Sequence, residues 1–325
     1  MQSSDEPLTK GSLALVKGIA GSAAALAVVG TSCAAYGALV ERNAFEVRRE
    51  TVAILPPGTA PFTVLHLSDI HLSLHQHRKT AWLRSLAALK PNLVVNTGDN
   101  LSHARAVPAL LAALRPLMNF PGVFVPGSND YYAPMMKNPL SYLAGPSRSP
   151  AQRTGQARRQ PRKLDTAALH AGFGAHGWIN LTNRNQSVAL DGIRFDFTGV
   201  DDPHLGRERY AGWPAGSVSQ GRAPHVRIAV AHAPYQRVLD RFTADGADLI
   251  LAGHTHGGQI CVPGYGALIS NCDLPTWRAR GLHDWDYDGR STPVNVSGGI
   301  GTSRFAPVRF ACPPEAVLLT LVPGP

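Results

Sequence analysis

Cysteine is scarce in this chain of 325 residues, limited to Cys33, Cys261, Cys272 and Cys312. No two of these stand at a zinc-site spacing, and Cys33 lies inside an apolar N-terminal run, so three remain for the rest of the chain. An odd number argues against a complete disulfide framework. It leaves open a Cys261 to Cys272 bridge if the domain is exported, beside the plainer reading of buried or free thiols. Charge of either sign is missing from Gly18 to Val40, and acid is missing from residues 148–163. In that second stretch Arg148, Arg153, Arg158, Arg159, Arg162 and Lys163 carry six of the nine net positive charges, so the remainder is not strongly basic. Aromatic and basic residues do not interleave as a stacking platform for single strands requires, and nucleic acid is not expected as a partner.

The uncharged run Gly18 to Val40 has 23 residues, enough to cross a hydrocarbon core as a helix rising about 1.5 Å per residue. We read it as a single-pass membrane anchor. A cleaved signal peptide is the competing reading, but its apolar region usually spans only about 7–15 residues. Lys10 and Lys17 on one side nearly balance Arg42, Arg48 and Arg49 on the other, and a signal-anchor would leave the downstream domain on the extracytoplasmic side. The expected organisation is a tail over 1–17, an anchor over 18–40, a linker over 41–60 and one domain over 61–325. A polar, arginine-rich stretch at 145–163 is expected as a mobile, solvated surface insertion, with contact to anionic lipid headgroups as the alternative.

From Pro61 onward apolar strands alternate with helical segments, the pattern of an α/β domain. Phe62 to Leu67, Leu93 to Val95 and Val123 to Val125 read as strands. Arg78 to Leu89 reads as a helix stopped by Pro91, and another helix opens near Pro108. Val226 to Val230 and Leu249 to Leu251 repeat the arrangement, and Ile193 to Phe197, Val294 to Val296 and Val317 to Leu321 supply strands for a second sheet.

Polar residues recur just past the strand ends, where ligands gather in such sheets. Asp69 and His71 stand two apart and project to one side of an extended segment. Gly98-Asp99-Asn100 adds a second carboxylate, Ala231-His232-Ala233 an imidazole, and Gly253-His254-Thr255-His256-Gly257-Gly258 two more imidazoles among glycines. A lone histidine is usually structural. Carboxylates and imidazoles at four strand ends form instead a mixed oxygen and nitrogen inventory suited to two divalent cations about 3.5–4 Å apart. Such a pair makes hydroxide available near neutral pH and neutralises a phosphoryl group.

At these motifs the chain resembles the calcineurin-like metallophosphoesterases, from about Leu65 to the C-terminus. Gly-His-Thr-His-Gly-Gly-Gln at 253–259, Gly-Val-Asp-Asp-Pro at 199–203 and Gly-Thr-Ser at 301–303 are similar to a membrane-associated bacterial branch. The resemblance implies a two-sheet sandwich flanked by helices. It places Asp69, His71 and His256 on a first metal, Asp99 as bridge, and His232 and His254 on a second. One block departs: where the family has Gly-Asn-His-Asp or Gly-Asn-His-Glu, this chain has Gly127-Ser128-Asn129-Asp130. Ser128 takes the column of a metal-binding asparagine and Asn129 that of a histidine thought to protonate the leaving group or hold phosphate. A small loop shift would bring the Asn129 amide oxygen to the second metal, and Asn129 is our candidate ligand. His75, His77, His103 and His204 lie near the motifs in sequence as possible proton donors.

The expected function is a metal-dependent phosphoester hydrolase with Asp99 and Asn129 at its catalytic centre. Two divalent ions, Mn, Fe or Zn, and a phosphorylated, membrane- or envelope-linked substrate complete the expectation. A metal-holding protein of weak activity that binds phosphorylated ligands is the alternative.

Overall fold

The computed structural model describes residues 28–135, 161–216 and 225–324. Two six-stranded mixed sheets are stacked face to face. The first runs β1 (Glu46–Leu55), β14 (Glu315–Pro323), β2 (Phe62–Leu67), β3 (Leu93–Asn96), β4 (Gly122–Phe124) and β5 (Ile179–Asn180). The second runs β12 (Gly281–Tyr287), β13 (Arg290–Val296), β9 (Leu249–Ala252), β8 (His225–Val230), β7 (Ile193–Gly199) and β6 (Arg184–Leu190). β10 (Cys261–Val262) and β11 (Gly266–Ala267) form a separate hairpin.

Strand alternation explains the layers. Phe62 and Val64 of β2 face the second sheet and pack with Phe195, Phe197, Ile228 and Leu249, whereas Leu65 and Leu67 face outward under helices. Strands buried on both faces read as unbroken apolar runs, which is why β2, β3 and β9 stand out in the sequence. Helices α2 (His77–Ser85), α3 (Val107–Leu114) and α5 (Thr166–Gly174) cover the outer face of the first sheet through Leu83, Leu110, Leu114, Leu169 and Phe173. Helix α6 (Gln236–Ala244) covers the second sheet through Val238, Leu239 and Phe242. The α/β two-sheet expectation matches this arrangement.

Residues 41–60, expected as a linker, are instead mostly part of the fold. β1 lies parallel to β14 from Glu46 opposite Glu315 to Leu55 opposite Pro323. Its Arg48 donates to the buried carboxylate of Glu315, and Arg280 donates to the same group. Burial opposes ionisation of Glu315, but the two guanidiniums hold its carboxyl below the usual range. A chain cut at Pro61 would lose this strand and leave the buried Glu315 carboxylate with one guanidinium fewer.

Of the expected anchor, residues 18–27 lie outside the described residues, and residues 28–39 form helix α1. No helix among the described residues is long and apolar enough to cross a membrane. The C-terminal end of α1 is seated on the domain: Arg309 N–H donates to Gly37 O, and the Tyr36 ring meets Phe310 edge-on at 6.4 Å. Most of the expected basic insertion also lies outside the described residues. Its end does not: Ala133 N–H donates to Arg162 O, so the chain re-enters the fold beside Tyr132.

Candidate metal centre

The loops after β2, β3, β8 and β9 meet at one end of the sandwich. Asp69 N–H donates to Gly98 O and His71 N–H to Asp99 O, extending the parallel pairing of β2 and β3 past their formal ends. Gly253 N–H donates to His232 O, joining the other two loops, and His254 N–H donates to Asp69 Oδ2, tying one sheet to the other.

These loops turn by adopting backbone conformations that L-residues avoid. Asp69 (φ 50°), His71 (45°), Asp99 (54°), His254 (70°) and His256 (54°) all lie in the left-handed region. Each such residue costs roughly 1–3 kcal/mol and persists only where its surroundings impose it, which marks functional sites. Gly253 is needed for a different reason. A Cβ there would overlap Ser68 Oγ and Asp69 Oδ2. Gly253→Ala is therefore expected to cost about 1–3 kcal/mol and to lower metal retention, read as a denaturation midpoint and as metal per chain after dialysis.

The side chains fall into two clusters of buried donors, Asp69 with His71 and His256, and Asp69 with Asp99 and His232. Within each, one ligand atom per residue lies within 4.8 Å of the others. His254 is outside both clusters, but its Nδ1 is 3.3 Å from His232 Nε2. Hydrogen bonds orient the rings. His232 Nδ1 donates to Thr97 O at 2.7 Å and His254 Nε2 to Asn271 O at 3.3 Å, so Nε2 of the first and Nδ1 of the second face each other. The Nε2 atoms of His71 and His256 likewise approach to 3.1 Å. Asp69 Oδ1 is buried without a hydrogen-bond partner among the described residues. A buried carboxylate oxygen left without a partner among convergent imidazole nitrogens is unfavourable by itself and is satisfied by a cation, so the donor set fits metal.

The electrostatics agree. Burial lowers His256 to about 3 and holds His254 well below its usual value, with His204 adding to the effect at His254, so both rings present lone pairs near neutral pH. Burial opposes charge on Asp69 and Asp99. Both carboxyls nevertheless lie below their ordinary range; at Asp99 the main cause is His232, which the carboxylates around it hold well above its usual value against its burial.

The Gly127-Ser128-Asn129-Asp130 block begins helix α4 (Ser128–Tyr131), directly over Asp99. Asn129 N–H donates to Asp99 Oδ1 at 2.7 Å, and its side-chain Nδ2 donates to Asp99 Oδ2 at 2.6 Å. Asn129 thus reaches the centre, with its amide nitrogen rather than its oxygen toward the carboxylate. Ser128 Oγ is 3.4 Å from that amide nitrogen. Asp130 has a supporting role: it accepts from Gly127 N–H and Asn100 N–H and fixes one loop to the next.

Among the four extra histidines only His204 lies against the centre, its ring 4.8 Å from that of His254 and its Nδ1 3.0 Å from Tyr235 Oη. His75 and His77 are exposed, and His103 Nδ1 accepts from Arg105 N–H. Asp202, beside His204, is buried and raised to about 7 by that burial. Asp202 lies inside the Gly-Val-Asp-Asp-Pro motif at 199–203, and His204 directly follows it. The Cys261 to Cys272 bridge is not formed; all four cysteines are free. Cys261 Sγ and Cys312 Sγ instead donate to Gly257 O, behind the His256 loop, at 3.1 and 3.5 Å.

The calcineurin-like phosphoesterase sequence profile matches residues 62–258, which include every loop of this centre. The chain belongs to the calcineurin-like phosphoesterase family. That membership supports a metal-dependent hydrolase acting on phosphoester bonds. Similar proteins include the metallophosphoesterase YkuE of Bacillus subtilis, 27% identical over 318 residues that cover 94% of this chain and 96% of that one. The phosphodiesterase YaeI of Escherichia coli is 25% identical over 92% of this phosphoesterase and 97% of its own length. A Bos taurus transmembrane protein with a metallophosphoesterase domain is 28% identical over 76% of this chain and 50% of that protein.

Proposed function

We propose that this phosphoesterase hydrolyses phosphate esters with two divalent cations, Mn, Fe or Zn. Asp69, His71 and His256 hold the first, His232, His254 and Asn129 the second, and Asp99 lies between them. The convergence of facing imidazole nitrogens on buried carboxylates carries this reading. When bound, such a pair acidifies a water molecule toward neutral pH and withdraws charge from phosphoryl oxygens.

The chain's own residues do the rest. Thr97 O and Asn271 O fix the ring faces of His232 and His254, and Asn129 holds both oxygens of Asp99 in one orientation. For Asn129 to serve as a ligand its amide must turn over, exchanging the hydrogen bond to Asp99 for an oxygen contact. We place the substrate at a membrane or envelope, with residues 18–40 as the tether and the domain on the extracytoplasmic side. The uncharged run supports the tether.

Purified protein is expected to retain two metal equivalents, and chelation to remove activity toward an aryl phosphodiester by at least about 100-fold, restored by Mn, Zn or Fe. Full turnover in metal-free protein would overturn the reading. Asn129 in the histidine column favours one rival, a metal-holding protein that binds phosphorylated ligands with little turnover. Metal-loaded protein that binds phosphate yet cleaves no ester would establish it.

A further inference from the structure

Exposed apolar side chains are concentrated beside the metal centre. Ile260, Val262, Tyr265 and Leu268, on and around the β10–β11 hairpin, and Phe305 are 42–73% exposed. The hairpin belongs to the segment that joins the two sides of the centre. It leaves the His256 loop at Gly258 and returns to Asn271, whose carbonyl fixes the His254 ring. Phe305 follows Arg304, which donates to Ser102 O, while Ser102 Oγ contacts the His71 ring. The apolar residues therefore border the His71 and His256 edge of the cleft.

The same surface seats the N-terminal helix. Cys261 N–H donates to Phe310 O, Gln259 Nε2 to Ala306 O, and Arg309 N–H to Gly37 O, so hairpin, 303–312 loop and the end of α1 are one continuous structure. Arg42, just past the helix end, donates to Pro307 O. An uncharged run that reaches back to Gly18 thus enters the domain at the rim that also bears Tyr265 and Phe305.

We propose that this rim lies on a lipid bilayer, with the hairpin tip and Phe305 in the interfacial layer and the metal cleft opening toward the headgroups. The proposal deepens the membrane-side part of the function above and rests on it. Three observations select lipid as the occupant. The exposed set combines an aromatic hydroxyl with aliphatic groups, the composition that settles at a membrane interface. Arg304 and Arg42 border it, where anionic headgroups favour positive charge. The rim is continuous with the one segment of the chain that is apolar and uncharged for membrane length.

The test places full-length Cys33→Ser protein in nanodiscs of phosphatidylethanolamine and phosphatidylglycerol. A fluorophore is attached at Tyr265→Cys or, as a control, at Asp288→Cys. Asp288 lies in the β12–β13 turn, at the end of the second sheet opposite the centre. Nitroxide-labelled lipid is expected to quench the label at 265 strongly and the label at 288 little. A second label at Phe305→Cys should show the same quenching, falling to the control level when Val262, Tyr265 and Leu268 are all changed to serine. That triple variant should keep its rate on a soluble aryl phosphodiester, since none of the three touches the metal donors.

Equal quenching at 265 and 288, or none at 265, would overturn the proposal. So would a label at 265 shielded from aqueous quencher but not reached by lipid quencher, which would assign the rim to a second copy of the chain. The depth measurement needs no turnover, so a protein inert toward phosphate esters would sink the hydrolase reading and leave the surface result standing.

Discussion

Asp99→Asn is expected to lower hydrolysis of an aryl phosphodiester on the order of 10³-fold or more and to release at least one metal equivalent. The loss corresponds to several kcal/mol of transition-state stabilisation, the scale at which a bridging metal carboxylate acts. Asparagine is the informative replacement. Asp99 sits at φ 54°, a conformation that asparagine tolerates and alanine does not, so the variant should keep the turn between β3 and its loop. It keeps the volume and one oxygen, but not the charge that faces the rings of His71 and His232 at 3.5 Å. Metal content by atomic absorption and turnover at saturating metal separate two effects. A variant that binds two metals and turns over normally would show that Asp99 is not the bridge. One that is inactive with both metals present would place the carboxylate in catalysis rather than in retention.

The donors were legible because each interrupts or ends an apolar run. His232 follows Val226–Val230, and His254 follows Leu249–Leu251; a polar residue at a buried strand end needs a partner, which directs attention to function. The strained backbone at five of these residues was not legible, since left-handed φ leaves a signature only when glycine occupies it. β1 was missed for a different reason. Glu46 to Leu55 carries Glu46, Arg48, Arg49 and Glu50 at its start, and a partner more than 260 residues away, the buried Glu315, is what holds the half-buried Arg48. His204 was named among four candidates but could not be separated from them, because its place against His254 depends on β7, α6 and the loop before β10 meeting in space. The cysteines show the same limit. Eleven positions separate Cys261 from Cys272, yet its sulfur shares a carbonyl with that of Cys312, brought there by the chain's return toward β14.

The block over Asp99 gives the second large expectation. Esters with good leaving groups should be cleaved far faster than esters of simple alcohols, because Asn129 occupies the column where the family has a histidine and its amide cannot deliver a proton. General-acid assistance typically contributes about 10²–10⁴-fold, and its absence is felt most when the departing oxygen is strongly basic. An aryl phosphodiester needs little of that help and an alkyl one needs nearly all of it. In Asn129→His the alkyl ester should therefore gain much more than the aryl ester, with metal content assayed in both proteins so that rates are compared at equal loading. The geometry makes the comparison decisive. Asn129 donates to both oxygens of Asp99, so a histidine there stands next to the same carboxylate. Natural protein that cleaves both esters at similar rates, with chemistry limiting, would mean that another group supplies the proton, and His204 against His254 is then the side chain to change. Should Asn129→His lose one metal while its backbone N–H still holds Asp99, the amide oxygen is a ligand, and the loop has exchanged a proton donor for a metal donor.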